Sequence, residues 1–249
     1  MEKRFVYADN AATTKITEPV KEAIIKALDI YGNNIANVNT VGYQTIRPDF
    51  ADCIYETERR TEADWQTGHG TYIQKTDLMF SESFFNETDR PQDMAIAGEG
   101  FFAVQDRFGT VNYTRDGKFG ITQENGTWYL VSSQGEYVLD YDKQRIAVPF
   151  DESGRNVDWD ATRDEVGVFT FPNPYGIEAL GSNRYIETAR SGQATADRNM
   201  DKLGNALIAS NVNLADQMVK LIETQRAYQL SSRVVTTSDE LAQISNNLR

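Results

Sequence analysis

Cys53 and His69 are the one cysteine and the one histidine of the chain. As a pair they could supply a thiolate nucleophile and an imidazole base, but no local feature brings them together. His69 stands in Gly68-His69-Gly70, which reads as an exposed loop. Single copies also exclude an intrachain disulfide framework and a cysteine- or histidine-rich metal site. Gly98-Glu99-Gly100 lacks the third glycine of a dinucleotide fingerprint and the Gly-Lys-Ser/Thr of a phosphate loop, so it reads as a turn before a strand. Asn156-Val157-Asp158-Trp159-Asp160 carries the first three ligand positions of a calcium loop. Ala161 replaces the glycine of the sixth position, however, and Gly167 replaces the glutamate of the twelfth. That stretch reads as an acidic surface loop. With no convincing carboxylate pair either, no residue is assigned a catalytic, cofactor-binding or metal-binding role, and the expectation is a protein that is not an enzyme.

Charge narrows the partners further. The formal net charge is −12 and the basic residues are scattered, which argues against a nucleic-acid face or an anionic lipid surface. No apolar run approaches the ~20 residues of a membrane span, so no membrane insertion is expected. Met1-Glu2-Lys3-Arg4-Phe5 opens no apolar signal core; if the chain leaves the cell, it does so by a route that does not read such a signal.

The elements that must hold any site are clearest at the two ends. From Ser210 onward there is no Gly or Pro, and Asn211 and Asn213 suit an N-cap. Leu214, Met218, Leu221, Gln225, Tyr228, Ser232 and Val235 then recur at alternating steps of four and three. That is a seam near 3.5 residues, the spacing of helices that supercoil on partners. Val219, Ile222 and Val234 widen it, and Leu241, Ile244 and Leu248 resume it. A second amphipathic helix begins at Thr17-Glu18-Pro19 and carries Val20, Ile24, Ala27 or Leu28, Tyr31, Ile35 and Val38, with Gly42 as its stop and Asn33, Asn34, Asn37 and Asn39 just before it. Periodicity alone leaves two readings open: core helices of an ordinary domain, or helices made for a long partner.

The expected organisation is an atypical segment at 1–16, an N-terminal helix at 17–45, a connector at 46–90, a β domain at 91–190, a linker at 191–209 and a C-terminal helix at 210–249. Within the connector, Pro48-Asp49-Phe50 to Tyr55-Glu56 reads as a short helix and Thr71–Gln74 as a strand. In the β domain, Phe101–Gln105 is an apolar strand. Val111–Thr114 enters a hairpin through Asp116-Gly117, and Lys118–Thr122 pairs with Thr127–Val131 through Asn125-Gly126. Glu136–Leu139 and Val166–Phe171 come next, the latter halted by Pro172-Asn173-Pro174. The fold class expected is α+β: long terminal helices pairing as a coiled-coil-like stalk around a central antiparallel β domain, a small barrel or sandwich.

Three ordered blocks resemble the flagellar rod and hook family of axial proteins. They are Asn33-Asn34-Ile35-Ala36-Asn37-Val38-Asn39-Thr40-Val41-Gly42-Tyr43; Ile96-Ala97-Gly98-Glu99-Gly100-Phe101-Phe102-Ala103-Val104 with Tyr113-Thr114-Arg115-Asp116-Gly117-Lys118-Phe119; and Ser210-Asn211-Val212-Asn213-Leu214 with Met218-Val219 and Glu223-Thr224-Gln225-Arg226-Ala227-Tyr228. With Phe171-Pro172-Asn173-Pro174-Tyr175-Gly176 the resemblance covers roughly 28–249 and is strongest to distal rod proteins. It implies a structural subunit that leaves by the flagellar type III export apparatus and stacks helically into the rod, outside the cytoplasmic membrane, as drive shaft and export tube. Implied partners are other copies, other rod and hook axial proteins, and surrounding ring proteins. No cofactor is implied. The implied assembly interface is Ile24, Leu28, Tyr31, Asn33, Asn34, Ile35, Asn37, Val38 and Asn39 on the first helix. On the second it is Leu214, Met218, Leu221, Ile222, Gln225, Arg226, Tyr228, Val235, Leu241, Ile244 and Leu248.

Residues 1–27 depart from that pattern. Phe5-Val6-Tyr7-Ala8-Asp9-Asn10-Ala11-Ala12-Thr13-Thr14-Lys15 and Pro19–Ala23 resemble instead the start of cysteine desulfurases, which use pyridoxal phosphate. The rest of the chain carries no histidine-lysine cofactor motif or catalytic cysteine loop of that enzyme. A β-domain adhesion module on the same scaffold is a further alternative.

Overall fold

The computed structural model describes residues 18–52, 56–60, 63–67, 71–81, 83–150 and 156–247. Cys53, His69, Leu248, the side chain of Val235 and the desulfurase-like residues up to Thr17 lie outside the described residues.

In chain order the elements are α1 (Glu18–Ala36), β1 (Ile46–Asp52), β2 (Glu56–Arg60), β3 (Ala63–Thr67), β4 (Thr71–Leu78), β5 (Phe85–Glu87), β6 (Met94–Ile96), β7 (Phe101–Gln105), β8 (Val111–Thr114), β9 (Phe119–Glu124), β10 (Thr127–Ser132) and β11 (Tyr137–Val138). Then come α2 (Trp159–Glu165), β12 (Val168–Thr170), β13 (Glu178–Gly181), β14 (Arg184–Ile186), β15 (Thr195–Ala196), β16 (Lys202–Gly204), β17 (Ala206–Ile208) and α3 (Leu214–Asn247). The chain divides into two compact units. The first joins Met1–Ile35, Ile46–Asp77 and Asn213–Arg249; the second joins Ala36–Thr45 and Leu78–Val212.

The first unit contains the long helices and two small sheets, β1 with β4 and β2 with β3. The expected helix after Pro48 is instead strand β1. It pairs with β4, and charges of opposite sign face across the pair, Arg47 to Asp77 at 3.7 Å and Lys75 to Asp49 at 3.8 Å. In a two-stranded sheet each strand keeps one unpaired edge, where a proline costs no ladder bond. The expected connector 46–90 therefore carries paired strands. Helix α1 ends at Ala36, not at Gly42. Past it Thr40 N–H returns to the Asn37 carbonyl at 3.1 Å while Thr40 Oγ1 donates to Asn37 Oδ1 at 3.0 Å, a turn that asparagine favours over helix.

The second unit is a mainly antiparallel β domain. Its main sheet runs β13-β14-β8-β7-β11-β10-β9, with β12 joining β7 and β15. Strand β7 is central and apolar on both sides: Phe102 and Val104 enter one core cluster, Phe101 and Ala103 the other, as a period of two requires. In the second cluster Phe101 meets Phe171 edge-on at 5.4 Å and Tyr185 at 5.7 Å. The β9–β10 hairpin closes at Glu124–Thr127 through Asn125 (φ 50°) and Gly126 (φ 84°), both left-handed as a type I′ turn demands.

Two expectations in this unit are corrected. Asp116-Gly117 joins no hairpin, because β8 pairs with β7 and β14 and not with β9. The turn instead lies under β6: a Cβ at Gly117 would fall 1.6 Å from the Met94 carbonyl oxygen, and Met94 N–H donates to Gly117 O at 3.0 Å. The expected linker at 191–209 contains β15, β16 and β17, which pair with β12, β6 and β5. Strands of two or three residues are too short for alternation to register in sequence.

Candidate assembly interface

In the first unit, helix α1 buries Ala23, Ala27, Tyr31 and Asn34, one stripe at steps of four and three. Of the α1 residues expected at an interface, Tyr31 and Asn34 lie on it, Ile24, Leu28 and Ile35 flank it half-buried, and Asn33 is exposed. Asn34 is fully buried, and its side chain bonds to both Ile46 and Gln217. Its Nδ2 donates to Gln217 Oε1 at 2.9 Å and to the Ile46 carbonyl at 2.8 Å, and its Oδ1 accepts from Ile46 N–H at 3.0 Å. The amide thus satisfies both backbone groups of the residue that opens β1, and reaches α3 as well.

Helix α3 starts where Asn213 caps it, Oδ1 accepting from Ala215 N–H at 3.1 Å and Asp216 N–H at 3.3 Å. Gln217 is 4 % exposed, and Leu221 and Thr224 are half-buried on the same strip. Burial first, and the Glu223 carboxylate second, push the Tyr31 phenol above its ordinary pKa. Tyr31 precedes Asn34 while Glu223 comes after Gln217, so the two helices run antiparallel here. Sequence periodicity picked Met218, one residue past Gln217, because an apolar pattern does not register a glutamine; the buried Ala23 was missed for its small size.

The rest of the α3 pattern faces outward. Leu214 is 38 % exposed, and Met218, Val219, Ile222, Tyr228, Leu230, Val234, Leu241 and Ile244 lie between 42 % and 67 %. Gln225 and Arg226 are exposed too. These residues lie around several sides of the helix and not along one stripe. They alternate there with polar residues such as Lys220, Glu223, Arg226 and Arg233.

In the second unit Val38 and Asn37 are half-buried and Asn39 is exposed. Here the three sequence blocks meet. Asn211 Oδ1 accepts from Thr45 N–H and Thr45 Oγ1, both at 2.7 Å. Its Nδ2 donates to Met79 O at 2.6 Å, Ser81 Oγ at 3.0 Å and Gln44 Oε1 at 3.1 Å. Gly42 N–H reaches Ile208 O at 2.8 Å, and Asn183 Nδ2 holds the Val41 carbonyl at 2.8 Å. Gly42 has φ +69°, and a Cβ there would sit 2.6 Å from the Arg115 carbonyl carbon and oxygen. Arg115 itself is buried, donates to the Gly98 carbonyl and lies 5.8 Å from the Phe101 ring centroid. Burial lowers its pKa, and Tyr185 and Glu99 oppose that.

These groups fasten backbone to backbone; none presents a free base or nucleophile. Asp116, whose pKa burial raises, spends its carboxylate on Lys118 N–H and Ser133 Oγ, both at 3.0 Å. Asp158, from the calcium-like stretch, caps α2 by accepting from Ala161 N–H at 3.0 Å. Lys202 is the most perturbed cation with a described environment: burial takes it from 10.5 to about 8, the charge of Asp164 acting against. Its Nζ donates to Val166 O at 2.8 Å, and to Asp164 O and Tyr141 OH at 3.1 Å, which closes the C-terminal end of α2.

Comparison with known proteins gives three family matches. Residues 25–44 match the family described as "Flagella basal body rod protein", residues 95–162 "Flagellar hook protein FlgE/F/G D1 domain", and residues 203–248 "Flagellar basal body rod FlgEFG protein C-terminal". The "Flagellar basal-body rod protein FlgG" of Borreliella burgdorferi is 36% identical over 89% of this chain and 92% of its own length. That of Bacillus subtilis is 34% identical over 89% and 93%. A "Flagellar hook-basal body complex protein FlhP" of Bacillus subtilis is 26% identical over 89% and 93%.

Proposed function

The chain belongs to the flagellar basal-body rod proteins, and we propose that it builds the rod by helical self-assembly through the faces of α1 and α3 that remain open in the single copy. It is a structural component of the flagellar basal body and not an enzyme. Among the described residues no helix is long and apolar enough to cross a membrane.

The observation that carries the assembly reading is the exposed apolar surface of α3. At about 1.5 Å per residue α1 is roughly 28 Å long and α3 roughly 51 Å. With Asn34 opposite Gln217 and the helices antiparallel, Glu18 falls about level with Arg233. Val234, Leu241 and Ile244 therefore lie beyond α1, and Met218, Val219, Ile222 and Leu230 lie beside it. In this reading α1 and α3 pair as a coiled-coil-like stalk, and neighbouring copies cover the remaining sides. A contact between two different patches of one molecule does not close on itself, so it propagates as an open helix of subunits. Other rod and hook axial proteins would continue the tube, ring proteins surround it, and the flagellar export apparatus deliver the subunits.

The test is sedimentation of purified protein over a range of concentrations. Burying one such side chain contributes about 1.5–3 kcal/mol, so Met218→Asp with Ile222→Asp raises the critical concentration at least about tenfold. Near-ultraviolet circular dichroism of the β domain stays unchanged. A chain that remains monomeric at every concentration, with both long helices protected from protease, would overturn the proposal.

A further inference from the structure

The β domain has two further surface features. The first is Phe108, 83 % exposed at the tip between β7 and β8. The tip is rigid. Asp106 Oδ1 accepts from Phe108 N–H at 2.8 Å and Thr110 N–H at 2.9 Å, Asp106 N–H donates to Thr110 O at 3.0 Å, and Gly109 N–H donates to Asp106 O at 3.1 Å. Arg107 lies with its guanidinium carbon 5.3 Å from the Phe108 ring centroid. A rigid apolar knob loses little conformational entropy when it docks.

The second feature is a cavity of about 570 Å³ whose walls include Phe80, Phe85, Ile96, Ala97 and Ile208, with Glu99 and Arg115 as its charged groups. Its size lies within the range of about 300–1,000 Å³ typical of sites that take a ligand, and Ser81, Ser83 and Gly98 complete a lining that mixes apolar side chains with hydroxyl and backbone groups. Arg115 is committed to the Gly98 carbonyl and to the Phe101 ring. Glu99 is exposed, so the cavity presents one open charge, and it is negative.

We infer that the cavity receives Phe108 from a second copy of this chain, with Arg107 of that copy paired to Glu99. The knob's aromatic ring matches the apolar walls, and its adjacent cation matches the exposed anion. Tyr175, 60 % exposed, is a poorer candidate because its ring already packs on Phe80 with centroids 6.0 Å apart. Knob and cavity are different patches of one molecule, so the contact is head-to-tail and propagates. It gives the β domains their own link along the polymer, separate from the helical faces. The inference rests on the assembly reading above.

The experiment places p-benzoylphenylalanine at position 108, which retains an aromatic knob, in an equal mixture of ¹⁵N-labelled and unlabelled full-length chains. Polymers are irradiated and the cross-linked peptides are sequenced by mass spectrometry. The expected result is a cross-link from position 108 to the peptides containing Phe80–Phe85 or Ile96–Glu99, half of them between labelled and unlabelled chains. In parallel, Phe108→Ala raises the critical concentration about tenfold. Arg107→Glu and Glu99→Arg each raise it about fivefold, and the double reversal restores it to within about twofold. Polymers whose cross-links map elsewhere, or charge reversals that do not rescue each other, overturn this contact and leave the assembly reading standing. The same holds if a parallel sample with p-benzoylphenylalanine at position 84, where the phenylalanine is equally exposed, cross-links to the cavity of a second copy and position 108 does not. Failure of the unsubstituted chain to polymerise overturns both.

Discussion

Replacing Asn34 tests whether one buried amide fastens α1 to both β1 and α3. Asn34→Ala removes an acceptor from Ile46 N–H and donors from the Ile46 carbonyl and Gln217 Oε1. Ile46 is half-buried, so water replaces part of what is lost, and each of its two bonds is worth about 1 kcal/mol. The Gln217 side is buried and contributes about 1–1.5 kcal/mol. The total is about 3 kcal/mol, a large fraction of the stability of a domain. Because the chain has two units, the readout is native-state hydrogen exchange of α1 and β1 amides, which resolves local opening from global unfolding. A double-mutant cycle with Gln217→Ala isolates the helix-to-helix part, with an expected coupling of about 1 kcal/mol. Asn34→Asp keeps the acceptor for Ile46 N–H but turns an anion toward two oxygens. It therefore costs more than alanine at neutral pH, and the excess fades as acid protonates the introduced carboxylate. A cost below about 0.5 kcal/mol for Asn34→Ala, or a coupling to Gln217 indistinguishable from zero, would refute the reasoning.

Single positions in the β unit give two more expected outcomes. Gly42→Ala should destabilise that unit by about 2–4 kcal/mol, since φ +69° is costly for any side chain and the new Cβ would lie 2.6 Å from Arg115 backbone atoms; urea denaturation monitored by Trp fluorescence measures it. Lys202 carries a folded-state pKa of about 8 against an ordinary 10.5. Between those values the unfolded chain binds the proton that the folded chain has released, so stability should rise with pH from about 8 to about 9.5, before tyrosines begin to ionise. Lys202→Met removes that slope, and denaturation curves across the window that show the same slope in both proteins would contradict the assignment.

Local chemistry made part of this protein legible in its sequence. Strand β7 runs from Phe101 to Gln105 as its apolar run predicts, because a strand buried on both faces needs no alternation. The β9–β10 hairpin closes at Asn125-Gly126 because these two residue types accept left-handed backbone. Helix α3 begins after Asn213 and continues for 34 residues because a cap opens it and no Gly or Pro interrupts it. The ordered sequence blocks sufficed for the family, since each is a local pattern.

The tertiary structure alone decided the pairings between residues distant in the chain. Strands β15, β16 and β17 exist because β12, β6 and β5 lie beside them, and two or three residues carry no period of their own. Asp116-Gly117 has a hairpin's composition, yet it is a crossing point beneath Met94, since turn chemistry bends the chain without choosing the strand that the next segment pairs with. Hydrophobic spacing located the amphipathic helices but not which stripe α1 and α3 use on each other. That contact is made by Asn34 and Gln217, polar residues 183 positions apart. Buried hydrogen bonds join the Ala23, Ala27 and Tyr31 stripe there, while most of the apolar residues expected on α3 face outward.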